Sequence, residues 1–453
     1  MLARKDVDMT HGHILKHYIS FAAPLALGLL FQQLYNTVDT MVIGQFEGET
    51  ALAAVGSTGS IINMLIGIFN GLSMGTGVVL SQAYGAHDEE RIRRVVHTTI
   101  TATLIMCVIA TVIGVAITRP ALYLMNTDPA VFDEAATYLT TYFAGISGLL
   151  IYNMGSAILR AVGDSKRPLY FLIFSALMNT VLDLAFVIWF DMGVFGVALA
   201  TIIAQGVSGL LVLYVLTREK QSYGIRWRAL HIDREEFKRI FMVGLPSSVQ
   251  QGLTAFSNVF VMRYVNAFGP SCTAGWAAYS KLDMFLMVPV RAIAQASTTF
   301  VGQNWGAKQP ERARRGVRYG LLMSLGCMLL CGALMLIFAR PLLHLITQEE
   351  PVLDFGERFI RIITPFYVTI CFNQLFAGAL RGIGSATAPM LIMLGSFVGF
   401  RQLYLFVADL IWGQNFLAVS LAFPMGWIMA SLLLTICYLR SRLYRPAVGD
   451  VAA

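Results

Sequence analysis

Apolar stretches of about 20 or more residues, each long enough to cross a bilayer, alternate with short polar segments from one end of the chain to the other. The pattern predicts twelve membrane-spanning helices, at 15–43, 51–81, 94–118, 133–158, 168–190, 194–216, 237–263, 273–302, 317–339, 358–380, 388–411 and 415–438. Six precede the long polar stretch Arg218–Arg239 and six follow it. The expected organisation is an N-lobe at 1–217, a linker at 218–236 and a C-lobe at 237–453 with a polar tail.

The polar punctuation repeats. Gln82-Ala83-Tyr84-Gly85-Ala86, followed by Glu90-Arg91 and Arg93-Arg94, returns as Gln303-Asn304-Trp305-Gly306-Ala307, followed by Glu311-Arg312 and Arg314-Arg315. The offset is 303 − 82 = 221, and Leu159-Arg160-Ala161-Val162-Gly163 with Pro168 keeps it as Leu380-Arg381-Gly382-Ile383-Gly384 with Pro389. One offset shared by two motifs is what tandem duplication leaves behind. Duplicated polytopic membrane proteins place a solute pathway between their halves.

Composition agrees with the pattern. The chain is 57% hydrophobic and 13% charged, with mean hydropathy +0.66, whereas soluble domains carry about 25% charged residues. Of its 33 Lys and Arg, 25 fall on one set of loops, in the linker and at the termini, and the opposite loops carry only Arg119, Arg263, Arg340, Arg358 and Arg361. By the positive-inside rule both termini are expected in the cytoplasm. Both basic repeat loops then lie on one side, so the repeat is parallel. The net charge of +7 reflects topology, and no nucleic-acid partner is expected. Residues 1–13 are polar, so no cleaved signal peptide is expected. The six cysteines show no metal-ligand spacing, and no phosphate loop ending in Gly-Lys-Ser/Thr occurs. The seven histidines lie mostly in the tail, loops and loop edges, so neither a metal, a cofactor nor an enzymatic activity is expected. Energy must come from an ion gradient or an external partner.

Ionisable residues inside a span are costly and mark functional candidates. In the N-lobe these are Asp39 in span one and Asp183 in span five. Asp183 lies nine residues before Met192, in the outer turn between spans five and six, and Thr201 lies nine after it; at about 1.5 Å per residue both sit about 13 Å below that turn. Asp39, seven residues before Phe46, is at similar depth. Asn179 stacks one turn from Asp183 on the same helix face. Asp39, Asn179, Asp183 and Thr201 thus form a convergent all-oxygen set, suited to a hard cation or to a proton held between carboxylates. The competing reading makes Asp39 a cap of an irregular helix and Asp183 a group facing a watery vestibule. At offset 221 the four positions read Phe260, Phe400, Tyr404 and Ala422, an asymmetry that favours a specialised ion site.

The C-lobe holds Lys281, Asp283 and Arg291 in span eight, Arg401 in span eleven, and the amides Gln250, Gln251, Asn373 and Gln374 in spans seven and ten. These are expected to line a cavity, either contacting substrate or forming a charge network that satisfies itself. Pro24 and Pro246, 222 residues apart, are candidate hinges because each removes a backbone hydrogen bond. Pro289 and Pro365 are expected to interrupt their spans, and Gly71, Gly75 and Gly77 to mark close helix contacts.

Two parallel six-helix lobes, Gln-x-x-Gly-Ala loops in both halves, Leu-Arg-x-x-Gly twice and Asp39 in span one together resemble the multidrug and toxic compound extrusion (MATE) family, over residues 10–440. The resemblance implies an all-α integral membrane protein with a V-shaped central cavity. It implies a monomeric antiporter in a bacterial inner membrane, exporting amphipathic, cationic compounds against H⁺ or Na⁺ by alternating access. The family's N-lobe ion site maps onto Asp39, Asn179, Asp183 and Thr201. Some branches carry acidic residues in spans seven and ten, where this chain has Gln250, Gln251, Asn373 and Gln374. Lys281-Leu282-Asp283 is similar to the branch that includes staphylococcal-type exporters. The alternative within the same superfamily is a lipid-linked oligosaccharide flippase, for which Lys281, Arg291 and Arg401 would hold a pyrophosphate.

Overall fold

The computed structural model describes residues 7–43, 46, 48–125 and 127–444, leaving out the side chains of 36, 39–41, 49, 50, 52, 53, 57, 60, 63 and 64. No strand occurs among the described residues. The helices are α1 (Ile14–Val42), α2 (Gly48–Gly85), α3 (Glu89–Leu124), α4 (Pro129–Ala144), α5 (Ile146–Ala161), α6 (Lys166–Leu184), α7 (Gly193–Arg218), α8 (Arg234–Asn266) and α9 (Pro270–Gly306). They continue as α10 (Pro310–Ile337), α11 (Ala339–His344), α12 (Glu350–Ile363), α13 (Tyr367–Gly382), α14 (Thr387–Leu394), α15 (Arg401–Trp412) and α16 (Phe416–Arg440). Among the described residues ten helices are long and apolar enough to cross a membrane, or eleven if α4 and α5, bent by 46° at Gly145, make one span. The difference from the twelve expected includes α8, which is 33 residues long but diluted by Gln250, Gln251, Thr254, Ser257, Asn258 and Arg263.

By its contacts the chain divides into two compact units, one of Met1–Asp8 and Leu27–Gly244, the other of Met9–Ala26 and Leu245–Ala453. The repeated motifs are helix stops. In the first Leu-Arg-x-x-Gly copy, Gly163 is left-handed (φ 86°), its N–H donates to Arg160 O and the Asp164 N–H donates to Leu159 O. Gly384 (φ 90°) does the same with Arg381, and Ser385 with Leu380. This is the paired-bond cap of a helix C-terminus, which glycine adopts without a Cβ penalty. The Gln-x-x-Gly-Ala copies close α2 and α9 identically, with His87 (φ 54°) and Lys308 (φ 55°) in the left-handed position.

The basic tails of those loops hold straps of chain. In one unit Arg91 Nε donates to the buried Glu236 at 3.0 Å, and the Asp233 N–H donates to Thr98 Oγ1 at 2.9 Å. In the other, Arg312 stands at the equivalent place and donates to the carbonyls of Met9, His11 and Gly12 at 2.8–3.2 Å. The segment leading into the first repeat is therefore clamped by the second copy of the motif, and the segment leading into the second repeat by the first copy.

The expected breaks are partly displaced. α1, α8 and α9 run through Pro24, Pro246 and Pro289 without interruption, while Pro365 does separate α12 from α13 through a short 3₁₀ turn. Gly75 is a true close contact: a Cβ there would lie 2.3 Å from Ile240 O, whereas one on Gly77 would meet nothing within 4 Å. The bend at Gly145 was not expected. A Cβ at Gly145 would lie 2.3 Å from Ile202 Cβ, so α7 packs where only glycine leaves room.

Candidate functional site

α6 is inverted relative to a soluble helix. Its apolar residues Leu177 and Val181 are 63% and 64% exposed, while Asn179 and Asp183 are fully buried. Lipid is the solvent for the first pair, and every polar group along the span must find its partners inside the protein. Ser175, Asn179 and Asp183 recur every four residues, so they share one face. Ser175 Oγ donates to Ala204 O on α7 at 2.7 Å, tying that face to the neighbouring helix. One turn along α7, Thr201 is 3% exposed and its hydroxyl donates to Val197 O at 3.0 Å, leaving its oxygen lone pairs able to accept.

Beyond Asp183 the helix widens into a π-turn, Ala185–Trp189, before the sharp reversal at Asp191 (φ 50°) and Gly193 (φ 55°). Single π-turns inside α-helices are common at functional sites. Asp39 lies on α1 and its side chain is outside the described residues. On the same helix, Val38 and Val42 pack in one apolar cluster with Val187, Val194, Val197 and Ala198. Val187 is one turn past Asp183 and Val197 one turn before Thr201. This cluster joins α1 to α7 and to the π-turn that follows α6.

The C-lobe candidates do not gather into one cluster. Arg401 is 2% exposed and donates through Nη2 to Ser257 Oγ at 2.7 Å and Asn258 Oδ1 at 2.9 Å. Its guanidinium also lies over the Phe423 ring at 5.1 Å, a favourable cation–π geometry. Gln402 Nε2 donates to Ser257 Oγ at 3.0 Å, completing the group. Asp283 accepts a hydrogen bond from the Tyr367 hydroxyl, which lies 2.6 Å from that of Tyr279. Asp283 and Arg401 thus belong to two separate networks.

Of the rest, Lys281 and Arg291 are exposed on α9, and Gln374 is half-buried. Gln250 Nε2 lies 2.9 Å from Met393 Sδ, and Gln251 Nε2 lies 3.5 Å from Ser247 O. Asn373 is buried between Trp427 O and Ser431 Oγ, a packing role. Ser257, Asn258, Gln402, Tyr279 and Tyr367 escaped the sequence reading. Only Tyr279 left a signal, being one helical turn from Asp283.

Two copies of one helical unit, built from bilayer-length helices, with a carboxylate, an amide and a hydroxyl sunk in the first copy, define a polytopic membrane transporter. The chain belongs to the MatE family, whose profile matches residues 24–185 and again 246–407, each match opening on one of the two repeat prolines, Pro24 and Pro246. It is similar to Probable multidrug resistance protein YpnP of Bacillus subtilis, 28% identical over 94% of this chain and 95% of the relative. It is also similar to Probable multidrug resistance protein NorM of Thermotoga maritima, 26% identical over 84% and 82%. A crystal structure of a MATE in complex with MaL6 shares the fold, with TM-score 0.92 and 24% identity over 98% of this chain and 99% of that one. The protein is therefore a multi-pass member of a multidrug efflux transporter family.

Proposed function

We propose that this protein exports amphipathic, cationic compounds by alternating access in exchange for inward H⁺ or Na⁺, with Asp39, Asn179, Asp183 and Thr201 as the coupling site. One observation carries the reading: Asn179 and Asp183 are fully buried on a helix whose opposite face is apolar and open to lipid. A carboxylate so placed must be neutralised by a proton, a cation or a partner. Occupation by ion and by substrate then favours different states of the same two-lobed protein, and that difference in binding is what couples them. Both termini lie in the cytoplasm on this reading, the protein works as a monomer, and Pro24 and Pro246 are the places where α1 and α8 bend.

A flippase holding a pyrophosphate is less well supported, because Arg401, the most buried cation it would use, is already engaged by Ser257 and Asn258. The test is efflux of a fluorescent organic cation from proteoliposomes under an imposed pH or Na⁺ gradient. Substrate flux driven by one gradient, with ion flux stimulated by substrate, supports the antiporter. Movement of a lipid-linked sugar without organic-cation flux supports the flippase.

A further inference from the structure

Between the start of α3 and the linker lies a recess of about 460 Å³ lined by Arg93, Arg94, His97, Arg226, Arg228 and His231, with Glu90 as the single acidic group on its wall. Four arginines against one glutamate among its lining residues give the recess a net positive charge. Its volume falls in the range of about 300–1,000 Å³ typical of small-ligand sites. Arg93 and Arg94 are partly neutralised by Glu89 and Glu90 one turn earlier, at 3.2 and 2.7 Å, and Arg94 also approaches Asp233 at 3.8 Å. Arg226 and Arg228 are exposed and have no acidic partner among the described residues.

The recess is held in shape. His97 lies with Nδ1 2.8 Å from Arg93 O, and its Nε2 accepts the Arg226 N–H at 3.1 Å. The linker is thereby pinned to α3 with the ring in its neutral form. His231 stacks on His97 with ring centroids 6.2 Å apart and lies with Nδ1 2.9 Å from Ala229 O, which leaves its other ring nitrogen for the recess. The second repeat does not reproduce this: Arg318 stands where the first has His97, and Arg314 donates to Tyr444 O instead. Trp227, between the two unpaired arginines, is 47% exposed and anchored by its indole N–H to Thr217 Oγ1 at 3.2 Å. An exposed indole flanked by arginines is characteristic of the headgroup level of a membrane.

We propose that this recess is a phosphate-binding site, taking either the phosphodiester headgroup of an anionic lipid from the adjoining leaflet or a free phosphate group. Guanidinium forks match phosphate oxygens bidentately, and a bound phosphate would bridge Arg93 and Arg94 of α3 to Arg226 and Arg228 of the linker. The site is independent of the ion-coupling residues, and its test does not use transport.

The full-length protein in phosphatidylcholine nanodiscs is followed by thermal unfolding, while either the phosphatidylglycerol fraction or the inorganic phosphate concentration is raised. Protection by phosphatidylglycerol alone assigns the lipid source, and protection by inorganic phosphate in pure phosphatidylcholine assigns the free one. Arg226→Gln and Arg228→Gln, both on exposed loop positions, are each expected to raise the half-saturating ligand level about tenfold, one charge-assisted contact apiece. Lys238→Gln, on the same basic surface but outside the recess, is expected to leave it unchanged. No protection by either ligand, or an equal loss in Lys238→Gln, overturns the assignment.

Discussion

The two repeats carry opposite chemistry at equivalent places. In the first, the acidic Asp183 is buried with Asn179 and Thr201, on α6 and α7. In the second, α8, α15 and α16 surround Arg401, which Ser257 and Asn258 hold and Phe423 covers. Arg401 is one residue past Phe400, the counterpart of Asn179, and Ser257 is three before Phe260, the counterpart of Asp39. Meanwhile the parts that shape the backbone agree: Gly163 with Gly384, His87 with Lys308, and Arg91 with Arg312. Duplication has kept what stops and clamps the helices and released what lies inside them. The buried Arg401 is held through Nη2 by acceptors within the second repeat. A buried carboxylate in a lipid-facing helix pair can change its charge by taking up an ion, which is why we propose the first repeat as the coupling site.

The comparison breaks most readily at the acids. Asp39→Asn and Asp183→Asn are each expected to abolish gradient-driven efflux in inverted vesicles while the protein remains inserted and folded; wild-type transport by either would return the ion site to the second repeat or elsewhere. Smaller effects are expected from the second repeat, and on stability instead of coupling. Ser257→Ala removes an acceptor from the buried Arg401 and should cost about 1–3 kcal/mol, lowering the unfolding temperature without altering the ion dependence of efflux. Tyr367→Phe takes the donor from Asp283 and should cost a similar amount, about 1–3 kcal/mol. If it changes the coupling ion's effect instead, Asp283 is part of the transport chemistry.

The smallest effect belongs to the strap. Asp233 caps α8 by accepting the N–H groups of Glu235 and Glu236 at 2.9 and 3.0 Å. The Glu236 N–H is the chief reason its carboxyl titrates below the usual carboxylate range, against a partial opposing effect of burial. A depressed carboxylate stabilises the fold above the unfolded pKa, and that stability is lost as pH falls through the folded one. Asp233→Ala should therefore cost about 1 kcal/mol near neutrality, and the difference from wild type should shrink in acid, as read from unfolding midpoints at a series of pH values.

Much of this architecture was written in the local pattern. Long apolar spans need no partner to be recognised, and the spacing of Asn179 and Asp183 places both on one face whatever surrounds them. What stayed hidden depends on residues far away in the chain. Gly145, where the bend falls, packs against Ile202 far along the chain, and Arg401 finds its acceptors 143 and 144 residues earlier, so composition could suggest a charge network but not its members. The spans themselves were harder to count where polar side chains enter the bilayer level, as α8 shows. Of the expected proline breaks, the one at Pro289 did not appear, because α9 continues through it as one helix.

The central claim is that one buried acidic site in the first repeat serves both ion and substrate. Its most direct test is the affinity of the purified protein for a fluorescent organic cation, measured in detergent across pH 5–8 and across Na⁺ concentration. Affinity should fall as protons or Na⁺ are added, and that dependence should vanish in Asp183→Asn. An affinity that stays flat under both titrations, or a dependence that survives the substitution, contradicts the account.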